Sequence, residues 1–286
     1  MKILLVGFGD IAARLAPRLT ADGCQVSALR RSVIQDTGLT AWRGDCRDES
    51  LLAQAVAGQD VVVATLTPDR RSAQGYREAY EESAAALARV LASCTEPPQR
   101  VLWVSSSRVY GESEGEWVDE LTPARPRDFA GHSLLAAEEI LRQQPVPVSV
   151  VRFTGIYGPG RTRLIDQVRA GHCAPPLPRL WTNRIHSEDC AGVLHHLISC
   201  HRQRRLLASL YLASDCEPVP LHDVQGWLAQ RLGVSVTALP EATVAASRRC
   251  SNRHLLDTGY CFQYPSWREG YESVLAALAQ DSARSD

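Results

Sequence analysis

The stretch Gly7-Phe8-Gly9-Asp10-Ile11-Ala12 fits G-x-G-x-x-G/A, directly after the apolar run ILLV and before a segment of helical spacing. Such spacing serves diphosphate binding. The first glycine makes the turn, the second lets the backbone approach the ligand, and a small third residue lets helix and strand pack closely. Free N–H groups and the positive end of the helix then face the anion. A dinucleotide is expected there, and the end of the second strand decides which one. An acidic residue at that point would bond the ribose 2′-hydroxyl of NAD, but this chain has Leu29-Arg30-Arg31-Ser32 and no carboxylate before Asp36. Two guanidiniums and a hydroxyl match the oxygens of a 2′-phosphate, so NADP is expected in preference to NAD. Asp45 and Cys46, after the third strand, fall where an adenine edge could be met, although Asp45 could equally organise the turn before a helix. Leu66, closing the fourth apolar strand, is expected in the same cofactor site.

Groups able to move a proton are fewer. Ser106 and Tyr110 follow the fifth strand; Tyr157 and Arg161 follow the sixth, with Gly158-Pro159-Gly160 between them barring a helix. His132 has a suitable unperturbed pKa, but two helical residues turn it about 200° from Ala130, away from the position a base would need. Arg184 and His186 could contact an anionic substrate. Of the 31 basic residues 30 are arginine, and the only lysine is Lys2, before the first strand. Arginine supplies charge but does not release a proton readily. Gly111 to Gly115 spell G-x-S-x-G, yet loop rather than helix is expected after them, so this is no nucleophile elbow. Cys190, His195, His196, Cys200 and His201 place only His196 and Cys200 on one helix face, too few ligands for zinc, and no metal is expected.

The elements that must position these residues alternate. Apolar strands at KILLV, QVSALRR, LTAWRGD, DVVVATL, RVLWVSS and VPVSVVRF are separated by helical stretches, among them ESLLAQAV, one long run from Tyr76 to Cys94, and FAGHSLLAAEEIL from Phe129. Strands this apolar are buried on both faces, so the expected fold is α/β: a Rossmann-type doubly wound parallel sheet with a smaller C-terminal substrate lobe. Residues 1–154 are expected to form the dinucleotide-binding domain and 155–286 the lobe. Pro17, inside the first helix, is expected to kink or delay it. The composition, 45% hydrophobic and 22% charged with a net charge of −1, excludes a phosphate backbone as partner. No apolar run reaches the roughly 18 residues of a membrane span. Nine cysteines without a CxxC read as reduced thiols. A cytoplasmic monomer or homodimer acting on a small molecule is expected, with no nucleic acid or membrane partner.

Together the glycine turn, RGDCRD, VSSSRVYG at 104–111, SLLAAEE, RFTGIYGPGR at 152–161, NRIHSEDCAG at 183–192 and the late FQYPSWREGY resemble the extended short-chain dehydrogenase/reductase family, also called the NAD-dependent epimerase/dehydratase family. The resemblance implies a nicotinamide dinucleotide in the N-terminal domain and a substrate, often a nucleotide sugar, under the C-terminal lobe. It matches Ser106 to the family's serine or threonine. The family's Tyr-x-x-x-Lys pair is missing: its slots hold Ala130 and Leu134, or Phe129 and Ser133 one frame away. That absence is similar to the atypical YeeZ-like branch. Two functions follow from the resemblance: an oxidoreductase or epimerase in which Ser106 polarises a carbonyl and Tyr110 or Tyr157 transfers the proton, or a catalytically silent dinucleotide-binding sensor.

Overall fold

The computed structural model describes residues 1–32, 38–238 and 247–285; Asp36 lies outside them. Its centre is a seven-stranded sheet. Strands β1 (Lys2–Val6), β2 (Gln25–Arg30), β3 (Thr40–Arg43), β4 (Val61–Ala64) and β5 (Arg100–Ser106) are joined by Val148–Phe153 and Leu210–Ala213. From one edge to the other the order is Leu210–Ala213, Val148–Phe153, β5, β4, β1, β2, β3. The chain runs outward from β1 to β3 and then crosses back to β4 on the other side of β1, which makes β1/β4 the switch point where α/β sheets bind ligands. Parallel register sets Val6 opposite Leu29 on β2 and opposite Ala64 on β4. The residues that follow, Gly7, Arg30 and Thr65, therefore share one edge.

Helix α1 (Asp10–Ala21) runs through Pro17 without a break. The expected delay does not occur. Pro17 lies on the exposed face, and its missing donor costs one hydrogen bond, while Ile11, Ala12, Leu15, Ala16 and Leu19 bury the opposite stripe. α2 spans Glu49–Val56. The long helical stretch expected from Tyr76 to Cys94 runs without a gap from Ala73 to Ser93, with α3 (Ala73–Tyr76) and α4 (Ser83–Ser93) joined through a π-helical turn at Arg77–Glu82. The Ser83 hydroxyl donates to the Glu78 carbonyl at 3.1 Å across the widened turn.

Helix α5 (Phe129–Arg142) starts at Asp128, whose carboxylate accepts from the Gly131 N–H at 2.8 Å. Its Glu138 is fully buried. That carboxylate accepts from Ser105 Oγ at 2.6 Å and from Arg152 Nε and Nη2 at 3.0 and 2.6 Å. A buried ion pair with its remaining lone pairs satisfied thus ties α5 to two neighbouring strands.

The chain divides into two compact units. The first comprises Met1–Tyr110, Ala124–Phe153 and Cys190–Tyr211; the second comprises Gly111–Pro123, Thr154–Asp189 and Leu212–Asp286. The second has its own core, including Tyr157, Ile165, Val168, Val224, Leu228, Trp267 and Tyr271. No helix among the described residues is long and apolar enough to cross a membrane.

Candidate functional site

At the shared strand edge of the first unit lies a cavity of about 570 Å³, lined by Gly7, Phe8, Gly9, Arg30, Arg31, Ser32, Asp45, Cys46 and Leu66 among others. Gly7 has φ +83, and a Cβ there would stand 3.0 Å from the Thr65 carbonyl oxygen and from the Leu66 side chain. Only glycine suits that turn. Its carbonyl accepts from Thr65 Oγ1 at 2.5 Å, and its N–H donates to Leu29 O at 3.0 Å. Gly9 is the residue before α1 and supplies no side-chain cap. A Cβ built on Gly9 meets nothing of the described residues within 4 Å. The helix start thus has no side-chain cap from Gly9 and has room beside that residue, as a diphosphate requires. These residues fit a dinucleotide. Asp10 opens α1 in an ion pair with Arg14 at 2.8 Å, and Ile11 and Ala12 are buried in the helix–sheet contact.

Charge around the cavity is balanced and mostly paired. Asp45 is gripped by Arg47, through Nη2 at 2.7 Å and the backbone N–H at 2.9 Å, and that guanidinium holds its carboxyl below the usual range. Arg47 also reaches Glu82 at 3.1 Å. Arg31 forms a two-pronged pair with Asp69, which raises the guanidinium and lowers the carboxyl. Burial pushes the Cys46 thiol up, and its sulfur donates to Ser83 Oγ at 3.4 Å. Sequence reasoning missed Arg47, Asp69 and Glu78, all of which line the cavity. A signal existed for Asp69, a carboxylate in the turn just past the carboxyl end of β4.

The candidates for proton transfer do not line this cavity. Ser106 ends β5, and its Oγ accepts from the Arg108 N–H at 3.2 Å. Tyr110 is buried, with the Arg152 guanidinium 4.9 Å above its ring. Tyr157 belongs to the second unit. There its ring stacks on Tyr271 at 4.5 Å, its hydroxyl has no hydrogen-bond partner among the described residues, and burial drives its pKa up. Arg184 and His186 are also buried in that unit; Arg184 Nη1 donates to Thr182 Oγ1 at 2.9 Å, and His186 packs against Tyr157 and Tyr264. His132 is exposed, its Nδ1 2.7 Å from the Asp128 carbonyl. In α5, Ala130 and Leu134 are buried. After Gly115 comes the strand Glu116–Val118, not a helix. His196 and Cys200 approach to 3.5 Å, and among the described residues no group of three or more His, Cys, Asp or Glu could hold a metal.

Comparison with known proteins finds a family model described as NAD(P)H-binding, matched over residues 7–199. Among solved structures, the chain is similar to a candidate NAD-dependent epimerase/dehydratase from Methylobacillus flagellatus, at 36% identity, TM-score 0.82 and coverage of 97% of this chain and 98% of that one. It shares its fold with the UDP-glucuronic acid 4-epimerase of Bacillus cereus in complex with UDP-glucuronic acid and NAD, at 18% identity, TM-score 0.81 and coverage of 98% and 99%. It shares it also with the human epimerase family protein SDR39U1 with NADPH, at 20% identity, TM-score 0.76 and coverage of 93% and 96%. No curated protein matches.

Proposed function

Because the chain belongs to the NAD(P)H-binding family and has the epimerase/dehydratase fold, we propose that it binds NADPH in preference to NADH and acts as an oxidoreductase or epimerase on a small carbonyl- or sugar-type substrate. One observation carries the reading: the glycine turn, the uncapped end of α1 and the Arg30-Arg31-Ser32 strand end line a single cavity. Gly7 and Gly9 give the backbone its close approach to the diphosphate, Arg30 and Arg31 meet the 2′-phosphate, and Asp45, Cys46 and Leu66 bound the adenosine side. When bound, the dinucleotide supplies hydride exchange at its nicotinamide. Ser106 polarises the substrate carbonyl by donating its hydroxyl proton as a hydrogen bond, and the phenol of Tyr110 or Tyr157 moves the proton. Burial raises the Tyr157 phenol, which keeps it protonated and disfavours it as a base. The dinucleotide belongs to residues 1–154 and the substrate to 155–286. Nine cysteines, none in a disulfide among the described residues, support a reduced compartment, the cytoplasm, and the working form is a monomer or homodimer.

A second reading, a dinucleotide sensor without turnover, is favoured by the buried Ala130 and Leu134 and by a chain whose only lysine is Lys2. Fluorescence titration with NADPH and NADH tests the cofactor. Arg30→Ala combined with Arg31→Ala should weaken NADPH by more than about tenfold, the scale of a lost charge-assisted pair, and NADH far less; equal losses would overturn the choice of NADP. Loss of NADPH absorbance on a carbonyl and sugar panel, abolished by Ser106→Ala, would support the enzyme. Tight NADPH binding with no turnover, and with Ser106→Ala silent, would support the sensor.

A further inference from the structure

The cavity contains more than the cations expected to greet a phosphate. Arg30, Arg31 and Arg47 face Asp45, Asp69 and Glu78 around the same space. Arg47 is committed to Asp45 and Glu82. Arg31 is committed to Asp69, both Nη atoms meeting both carboxylate oxygens. Arg30 makes no ion pair with any described residue. The two members of the Arg31–Asp69 pair come from different strand ends, one after β2 and the other after β4, and both are more than half exposed.

We propose that Asp69 is the residue that sets how strongly this site distinguishes the two dinucleotides, by occupying the guanidinium fork of Arg31 until a 2′-phosphate displaces it. This rests on the cofactor reading above. An exposed carboxylate pair is weak because water screens both partners. A phosphate offers the same fork more charge and more acceptor oxygens, so it wins the exchange. A 2′-hydroxyl offers neither, and with it the pair stays closed. Asp69 thus holds Arg31 in place while lowering the net gain from the phosphate, and its removal widens the preference for NADPH.

The test uses the intrinsic fluorescence of NADPH and NADH titrated into the full chain, so that no substrate is needed. Asp69→Asn should tighten NADPH by about two- to fivefold, the range an exposed ion pair spans, and leave NADH unchanged. In an Arg31→Ala background the same substitution should leave the NADPH/NADH ratio unaltered, since its effect passes through Arg31. An unaltered ratio in the single variant overturns the proposal, as does weaker NADH binding, which would mean that Asp69 contacts the ribose itself. A ratio change that persists without Arg31 overturns it as well. If the unsubstituted chain binds neither dinucleotide, the cofactor reading has failed, an outcome distinct from all of these.

Discussion

Gly7 and Gly9 stand two residues apart and are glycine for different reasons, which their substitution should separate. Gly7 is held in the left-handed region against the Thr65 carbonyl, so Gly7→Ala strains the backbone and should cost about 1–2 kcal/mol of stability as well as dinucleotide affinity. At Gly9 a Cβ meets no atom of the described residues within 4 Å. Gly9→Ala should therefore cost less than about 1 kcal/mol in urea unfolding, yet weaken NADPH by about tenfold or more, because the methyl group takes the diphosphate's place. Equal stability losses at the two positions would contradict this division. The glycine turn was legible in the sequence because its constraint is local. Arg47, Asp69 and Glu78 were not, because each comes from a different loop or turn and only the sheet order brings them to one cavity.

The strands were readable for a physical reason: β1 and β4 are buried on both faces and so carry nothing but apolar side chains after Lys2. Helix α5 starts at Phe129, where its helical spacing was read, with Asp128 as its cap and Ala130, Leu134, Ala137 and Leu141 buried. The π-helical turn in Arg77–Glu82 left no such mark, since five-residue backbone bonding has no side-chain signature and the apolar spacing continues into α4. Two expectations belong to these elements. Pro17 is exposed and denies α1 one hydrogen bond, so Pro17→Ala should stabilise the protein by about 1–2 kcal/mol, the helix gain less the entropy proline removes from the unfolded chain; a lower urea midpoint would contradict it. Glu138→Ala strands the buried Arg152 guanidinium, and a loss of about 3–5 kcal/mol is expected. Glu138→Gln should lose less, because it keeps an acceptor for Ser105 and Arg152.

At the scale of the whole molecule, one contribution to pH dependence comes from a residue that sequence reading passed over. Burial pushes the Asp215 carboxyl up to about 8; the Glu217 N–H and Arg184 oppose the shift, and Glu217 and Asp189 add to it. Unfolded, the group ionises near 3.8. Between roughly pH 4 and 8 the folded chain therefore holds a proton that the unfolded chain has released, and stability falls as pH rises through that window. The melting temperature should drop from pH 5 to pH 8, and Asp215→Asn should shrink that drop by at least roughly 3 °C; an undiminished drop would exclude Asp215 as its source. The division into units was likewise beyond the order of elements. Gly111–Pro123 gathers with the second unit and Cys190–Tyr211 with the first, pairings decided by contacts between segments far apart in the chain. One consequence concerns handling at the bench. Lys2 begins β1 exposed, and the strand's five residues carry the chain about 16 Å before the turn at Gly7. The sequence holds no other lysine, so acylating dyes and activated resins that react with lysine side chains attach at the start of that strand, at the end opposite Gly7.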